Sequence, residues 1–269
     1  MSDAKKILID RILEAYEGYA EECRKTRSYS VDDAVPRNLI HFYYTEMEHL
    51  DHETIADNYR KKFIQNENIL ENIKVPEEQE GLEAVVDYIL NNEWENFKNI
   101  FVILKIHQLL YSKVPNPEAG GKFKQANNMI TDSDTTTTDV NRVSTEVGNL
   151  NQTYIDLLNK KEEIENSKSY DLLFNYLHDS IKLSCDLLEI HPFFDGNGRT
   201  FRALLNILFR NIGLPPVYVT PEEKNQYHKA IDIAVREKDF SHINQFYYYK
   251  ICDSIVELDL KEKEDIKAR

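Results

Sequence analysis

Two amphipathic stretches separated by twelve residues constrain this chain most. From residue 171 to 190, Leu173, Leu177, Ile181, Cys185 and Leu188 recur every three or four positions, the period of one helix face. After "HPFFDGNGRTFR" (residues 191–202) the same period resumes through "ALLNILFRNIG", and Gly213, Pro215 and Pro216 supply the stop. The rest of the chain agrees with a helical architecture. Residues 4–27 place Leu8, Ile12, Ala15, Tyr19 and Cys23 at helical spacing, and Pro36 marks a loop. A second stretch runs from 38 to 73 with an interruption near 50–52. Further helical patterns cover 83–110, 143–164 and 221–261, and the charged tail "LKEKEDIKAR" is expected to fray. Eight glycines and eight prolines in 269 residues are too few for a sandwich or barrel full of tight turns. The expectation is an all-α fold.

One segment breaks the pattern. Residues 115–142 hold two prolines, two glycines and four consecutive threonines. They read as a turn, a short strand over 122–130, a loop and a new helix start near Val143, so a small β-hairpin is expected here.

Composition narrows the function. A formal net charge of −14 repels nucleic-acid phosphates, and any anionic ligand must be met by local positive charge. Cys23, Cys185 and Cys252 are scattered through helical stretches, which suits buried thiols in a reducing compartment better than disulfides or zinc. The N-terminus is interrupted by charges every few residues and reads neither as a signal peptide nor as a membrane span. A cytoplasmic location is expected, with export by a dedicated secretion machine left open.

The twelve interrupting residues concentrate groups that phosphate chemistry uses. Gly196, Asn197 and Gly198 open the second helix, where free N–H groups and the positive dipole end attract an anion. Arg199 and Arg202 are three apart and can hold further phosphate oxygens through forked hydrogen bonds. Asp195 beside a polyphosphate suits Mg²⁺, and His191 can take a proton near neutral pH. Phe193 is assigned to packing. A base, a metal ligand, an anion cradle and charge clamps together suit transfer of a phosphorus-containing group to a hydroxyl.

The stretch resembles the signature of the Fic family, His-x-Phe-x-(Asp/Glu)-Gly-Asn-Gly-Arg-x-x-Arg, at every defining position. The likeness extends over about residues 83–250, with His107 in "ILKIHQLLYSK", "AGGKFKQ" and "NIGLPPVYVTPEEKNQYHKAI" similar to the flanking family segments. The resemblance implies a Fic-type helical core with a β-hairpin flap. It divides the chain into an N-terminal helical region (1–82), a catalytic domain (83–250) and a C-terminal helix and tail (251–269). It also implies adenylylation (AMPylation), the transfer of AMP from Mg-ATP to a Ser, Thr or Tyr hydroxyl of a target protein. On that resemblance His191 is the base, Asp195 binds Mg²⁺, and Gly196, Asn197, Gly198, Arg199 and Arg202 hold the phosphates. Lys122, Phe123, Lys124, Met129 and Ile130 belong to the flap, and Tyr227 is the adenosine candidate. Val235 stands where members often have an Asn near the adenosine, which bears on nucleotide preference. The partners implied are ATP and a hydroxyl-bearing protein, with self-modification and a homodimer also admitted, and neither nucleic acid nor membrane. A deAMPylase of the same fold and a non-catalytic nucleotide-binding adaptor are the alternatives.

Many family members also carry (Ser/Thr)-x-x-x-Glu-(Gly/Asn), whose Glu pairs with the second motif arginine and displaces the γ-phosphate. In this chain "YYTEMEHLDHETI" (43–55) is the stretch matched to it, with Glu48 four residues after Tyr44 as the inhibitory candidate. "CDSIVELD", with Ser254 and Glu257, has the wrong spacing.

Overall fold

The computed structural model describes residues 3–26, 28, 33–47, 52–91, 94–128 and 137–260. Twelve α-helices account for most of them, and the described residues contain no strand. In chain order these are α1 (Asp3–Thr26), α2 (Ala34–Glu46), α3 (His52–Leu70), α4 (Pro76–Asn91), α5 (Val102–Leu110) and α6 (Val143–Asn149). They continue with α7 (Asn151–Asn159), α8 (Lys161–Ser167), α9 (Tyr170–Ile190), α10 (Asn197–Asn211), α11 (Lys224–Arg236) and α12 (Ser241–Ser254).

The organising element is α10, in which almost every residue is buried. It packs against α9 on one side and against α5, α4 and α7 around the rest. The amphipathic stretches that flank the motif are therefore neighbours in space as well as in sequence. α9 starts under a Ser169 cap and ends at His191, which takes the left-handed conformation (φ 52°, ψ 61°) and donates its N–H to the Leu187 carbonyl. Side chains close the framework where helices meet irregular chain. Asn206 on α10 donates to the Tyr59 hydroxyl of α3 and pairs both ways with the Val217 backbone, at 2.7–2.9 Å. Lys250 on α12 is buried and neutralised by Glu223 (2.9 Å) and Asp253 (3.1 Å).

Two helical expectations are refined. The pattern over 83–110 divides, because α4 ends at Asn91 and the chain turns through a 3₁₀ segment (Trp94–Phe97) before α5. There the Asn151 side chain takes the N–H of Ile100 and Asn99 takes that of Phe101, competing with continuous helix. The pattern over 143–164 likewise divides into α6, α7 and α8.

The expected β-hairpin is a correction. Residues 122–128 are irregular, and the Lys124 N–H goes to the Pro192 carbonyl of the motif loop (2.8 Å) instead of to a hairpin partner. Side chains close the segment where a ladder was expected. Asn127 donates to Asp139 and accepts from the Val140 N–H, while Asn128 donates to the Phe193 carbonyl. Met129 and Ile130 lie outside the described residues.

Candidate active site

The site forms where α9 ends and α10 begins. Gly196 takes φ 74°, and a Cβ there would stand 3.0 Å from the Tyr111 hydroxyl, so both backbone and space require glycine. The first intrahelical bond of α10 runs from Thr200 N–H to the Gly196 carbonyl, and no side chain caps the helix. The N–H groups of Asn197, Gly198 and Arg199 thus have no acceptor within the helix.

Around that point the loop is held firmly. The Asn197 amide accepts from the Phe193 N–H and donates to the Phe193 carbonyl, both at 2.9 Å. Its side chain is therefore engaged in shaping the loop. Phe193 is fully buried and stacks on the His107 ring, with centroids 3.9 Å apart and planes within 6°. His107 Nδ1 accepts from the Gly121 N–H (2.9 Å), which leaves Nε2 to donate to the Asp195 carbonyl (3.0 Å). One neutral imidazole thus joins α5, the entry to the 121–128 segment and the motif loop. Burial pushes its pKa down to about 4.

Asp195 is exposed, with its carboxylate accepting from the Gly196 N–H and from the Tyr111 hydroxyl. An exposed, oriented carboxylate beside a helix N-terminus fits Mg²⁺ bound jointly by protein and phosphate oxygens, since each oxygen keeps a free lone pair. His191 is half-buried: burial and then the Lys124 ammonium lower its pKa, against the Leu188 carbonyl and Asp195. Lys124 is itself buried and donates to Asn128 (2.8 Å) and Thr137 (3.0 Å). Burial lowers its pKa. Phe123 leans toward Phe193, at 6.0 Å between centroids, whereas Lys122 is exposed.

Both arginines are buried and each is held by carboxylates. Arg199 donates to Glu78 (2.9 Å) and Tyr111 (3.1 Å), and Asp195 lies 3.7 Å away. Arg202 donates from Nε and Nη2 to the two oxygens of Glu67, each at 2.6 Å, and from Nη2 also to Glu71. Glu67 is on α3 and fully buried; Glu71 follows the helix end and its side chain is one-third exposed. Two guanidinium groups are thus faced by four carboxylates. Burial opposes the charge on Arg202, but Glu67 and then Glu71 hold its pKa well above the usual value, so it stays protonated.

Sequence reasoning missed Glu67, Glu71 and Glu78, and named Tyr111 and His107 only as part of a segment. A signal for the first two exists: Glu67-Asn68 and Glu71-Asn72 repeat Glu-(Gly/Asn) one helical turn apart. The physical content of that pattern is a helix stop. Asn72 has φ 54°, and it donates to the Ile69 carbonyl while Ile73 donates to Asn68, closing α3 in a Schellman motif. Asparagine or glycine is needed there, and the preceding glutamate is delivered at a fixed place. Glu48 lies outside the described residues. Glu257 pairs with Lys62 (3.1 Å). Tyr227 is fully buried and lies beneath Arg202, 5.7 Å from guanidinium to ring centroid. It supports the arginine and offers no open face to a base. Val235 is also buried, on α11.

Residues 99–209 match the Fic/DOC family model. Over that segment the chain is similar to a Fic domain. "Protein adenylyltransferase Fic" of Aedes aegypti is 32% identical over 158 residues, 57% of this chain and 28% of that protein. The protein of the same name from Drosophila yakuba is 46% identical over 48 residues, 18% of this chain and 10% of its own length. The chain thus spans about a quarter or less of the curated relatives it matches. Among solved structures, a Fic-domain-containing signalling protein from Bacteroides thetaiotaomicron aligns with a TM-score of 0.64 at 14% identity, over 82% of this chain and 94% of the other. Fic-1 (residues 134–508) from C. elegans aligns with a TM-score of 0.64 at 20% identity, over 94% and 84%. At these identities the likeness is one of fold. This chain reaches it with an irregular 122–128 segment. Among the described residues, no helix is long and apolar enough to cross a membrane.

Proposed function

We propose that this Fic domain transfers AMP from Mg-ATP to a hydroxyl of a protein substrate, and that Glu71 restrains it. The single observation that carries the reading is the convergence on one helix N-terminus of a neutral histidine, an exposed carboxylate and two buried guanidinium groups. His191 accepts the proton of the target hydroxyl, and its lowered pKa keeps it ready to do so at neutral pH. The oxygen attacks the α-phosphorus, the bond from that phosphorus to the bridging oxygen breaks, and pyrophosphate leaves. The N–H groups at the start of α10 receive charge on the phosphate oxygens, and Arg199 and Arg202 steady the outgoing pyrophosphate. Asp195 would hold Mg²⁺, which neutralises polyphosphate charge.

The restraint follows from position. A Cβ on Gly198 would stand 3.1 Å from a Glu71 oxygen and 2.9 Å from Arg202 Nη1. Glu71 therefore lies over the start of α10, where a terminal phosphate would otherwise meet Arg202. The brake implied by the resemblance is assigned here to Glu71-Asn72 at the end of α3, which brings the N-terminal helical region into the regulation of the catalytic domain.

The test is incubation of wild type, His191→Ala and Glu71→Gly with Mg²⁺ and α-labelled ATP, following label on the protein itself and on a lysate. Glu71→Gly is expected to label at least tenfold more than wild type, and His191→Ala in that background to lose about a thousandfold. Label on no protein in Glu71→Gly would turn the reading toward AMP removal or nucleotide-binding adaptation.

A further inference from the structure

Arg202 has two glutamates, and the geometry points to different duties for them: Glu67 is a positioning residue that aims Arg202 at the nucleotide, while Glu71 alone competes with it. This inference rests on the adenylyltransferase reading. In the family pattern the position four residues before the inhibitory glutamate is Ser or Thr; here it is Glu67, so a second carboxylate stands where a hydroxyl is expected.

The two contacts fall on different parts of the guanidinium. Glu67 takes Nε and Nη2 with both oxygens, the forked arrangement that fixes the plane of an arginine. Nη1 is left turned toward Gly198 and the start of α10, where a phosphate would sit. Glu71 shares Nη2 and stands on that same side. Anchorage differs too. Glu67 lies inside α3, with no solvent exposure, so that leaving Arg202 would strand a buried carboxylate. Glu71 is beyond the last residue of α3, is one-third exposed, and places a negative charge at the negative end of a helix dipole. Removing Glu71 therefore opens the phosphate position. With Glu71 gone, removing Glu67 as well lets the guanidinium turn away from it, with Tyr227 beneath as its remaining support.

The experiment uses the full chain with Glu71→Gly, and Glu71→Gly combined with Glu67→Gln. Mg-ATP binding is read directly by calorimetry and by the rise in melting temperature on adding nucleotide, which also reports folding. AMP transfer is read as separate kcat and KM for ATP. With Glu67→Gln added, the Kd and KM for ATP are expected to rise about tenfold or more, the scale of a lost charged hydrogen bond, with kcat changed far less. Glu67→Asp, which keeps the charge one methylene short, serves the same comparison if Glu67→Gln does not fold. Binding as tight as, or tighter than, Glu71→Gly alone would overturn the assignment and make Glu67 a second competitor. So would activation by Glu67→Gln alone to the level of Glu71→Gly. Absence of Mg-ATP binding in Glu71→Gly would overturn both this assignment and the nucleotide reading. Tight binding without labelling would remove the transfer reading while the Kd comparison still decides the role of Glu67.

Discussion

The two ends of the site are built on different principles. At the Arg202 end, regular helices supply the frame: α10 presents the guanidinium, α3 presents Glu67 and α11 presents Tyr227, all buried, with Glu71 added from just beyond α3. At the His191 end, irregular chain does the work: a left-handed residue closes α9, and the 122–128 segment reaches the motif loop through one backbone bond and one side-chain amide. The difference separates stability from chemistry. Charges locked between helices are costly to disturb. Groups held by loop amides can be altered with little cost to the fold and are felt in the pH behaviour of the reaction.

Three measurements sharpen that division. The largest effect is expected from Arg202→Ala, which strands Glu67 without a partner: a loss of about 3–5 kcal/mol in denaturant unfolding at pH 7. The deficit should shrink toward acid pH as Glu67 takes up a proton; a loss below 1 kcal/mol would show that the end is not locked. Next comes His107, which joins α5, the entry to the 121–128 segment and the motif loop. Its pKa is near 4 folded and near its ordinary value unfolded, so the unfolded chain binds more protons between these limits. Its contribution is full above about pH 6.5 and falls away toward pH 4, by about 3 kcal/mol. The stability difference between wild type and His107→Gln should narrow over that window; a constant difference would deny the ring its bridging role. The smallest effect belongs to Lys124→Met. Without the ammonium that helps keep His191 deprotonated, the acid limb of kcat/KM should move to higher pH while the melting temperature changes little. An unmoved limb with a large drop in melting temperature would reverse the comparison.

The contrast also explains what was legible in the sequence. α9, the motif and α10 could be read because local periodicity and adjacent residue types define them. The grouping of His191, Asp195, the α10 amides and the two arginines followed from spacing alone. Glu67 and Glu71 could not be placed in that way, since they reach Arg202 from 135 and 131 positions away. Only the packing of α3 near the start of α10 brings them together. Asking for a hydroxyl before the glutamate pointed to Tyr44 and Glu48, whereas the helix stop at Asn72 was the more physical part of the pattern. The strand expected at 122–130 shows the converse: turn residues at its flanks suggested pairing, but the amides of Asn127 and Asn128 satisfy the neighbouring backbone directly.

The Schellman closure at Asn72 has a consequence for timing. Glu71 is carried by the terminal stitch of α3, with irregular chain between it and α4, so its departure from Arg202 needs only that stitch to open. Such an opening belongs to local fluctuation, many times more frequent than rupture of the bundle. Hydrogen exchange should therefore find the amides of Asn72 and Ile73 labelling well before those of α10. On the proposed brake, the rate at which the domain samples its unblocked form would then be an attribute of the closure over residues 68–73, tunable without altering the endurance of the whole.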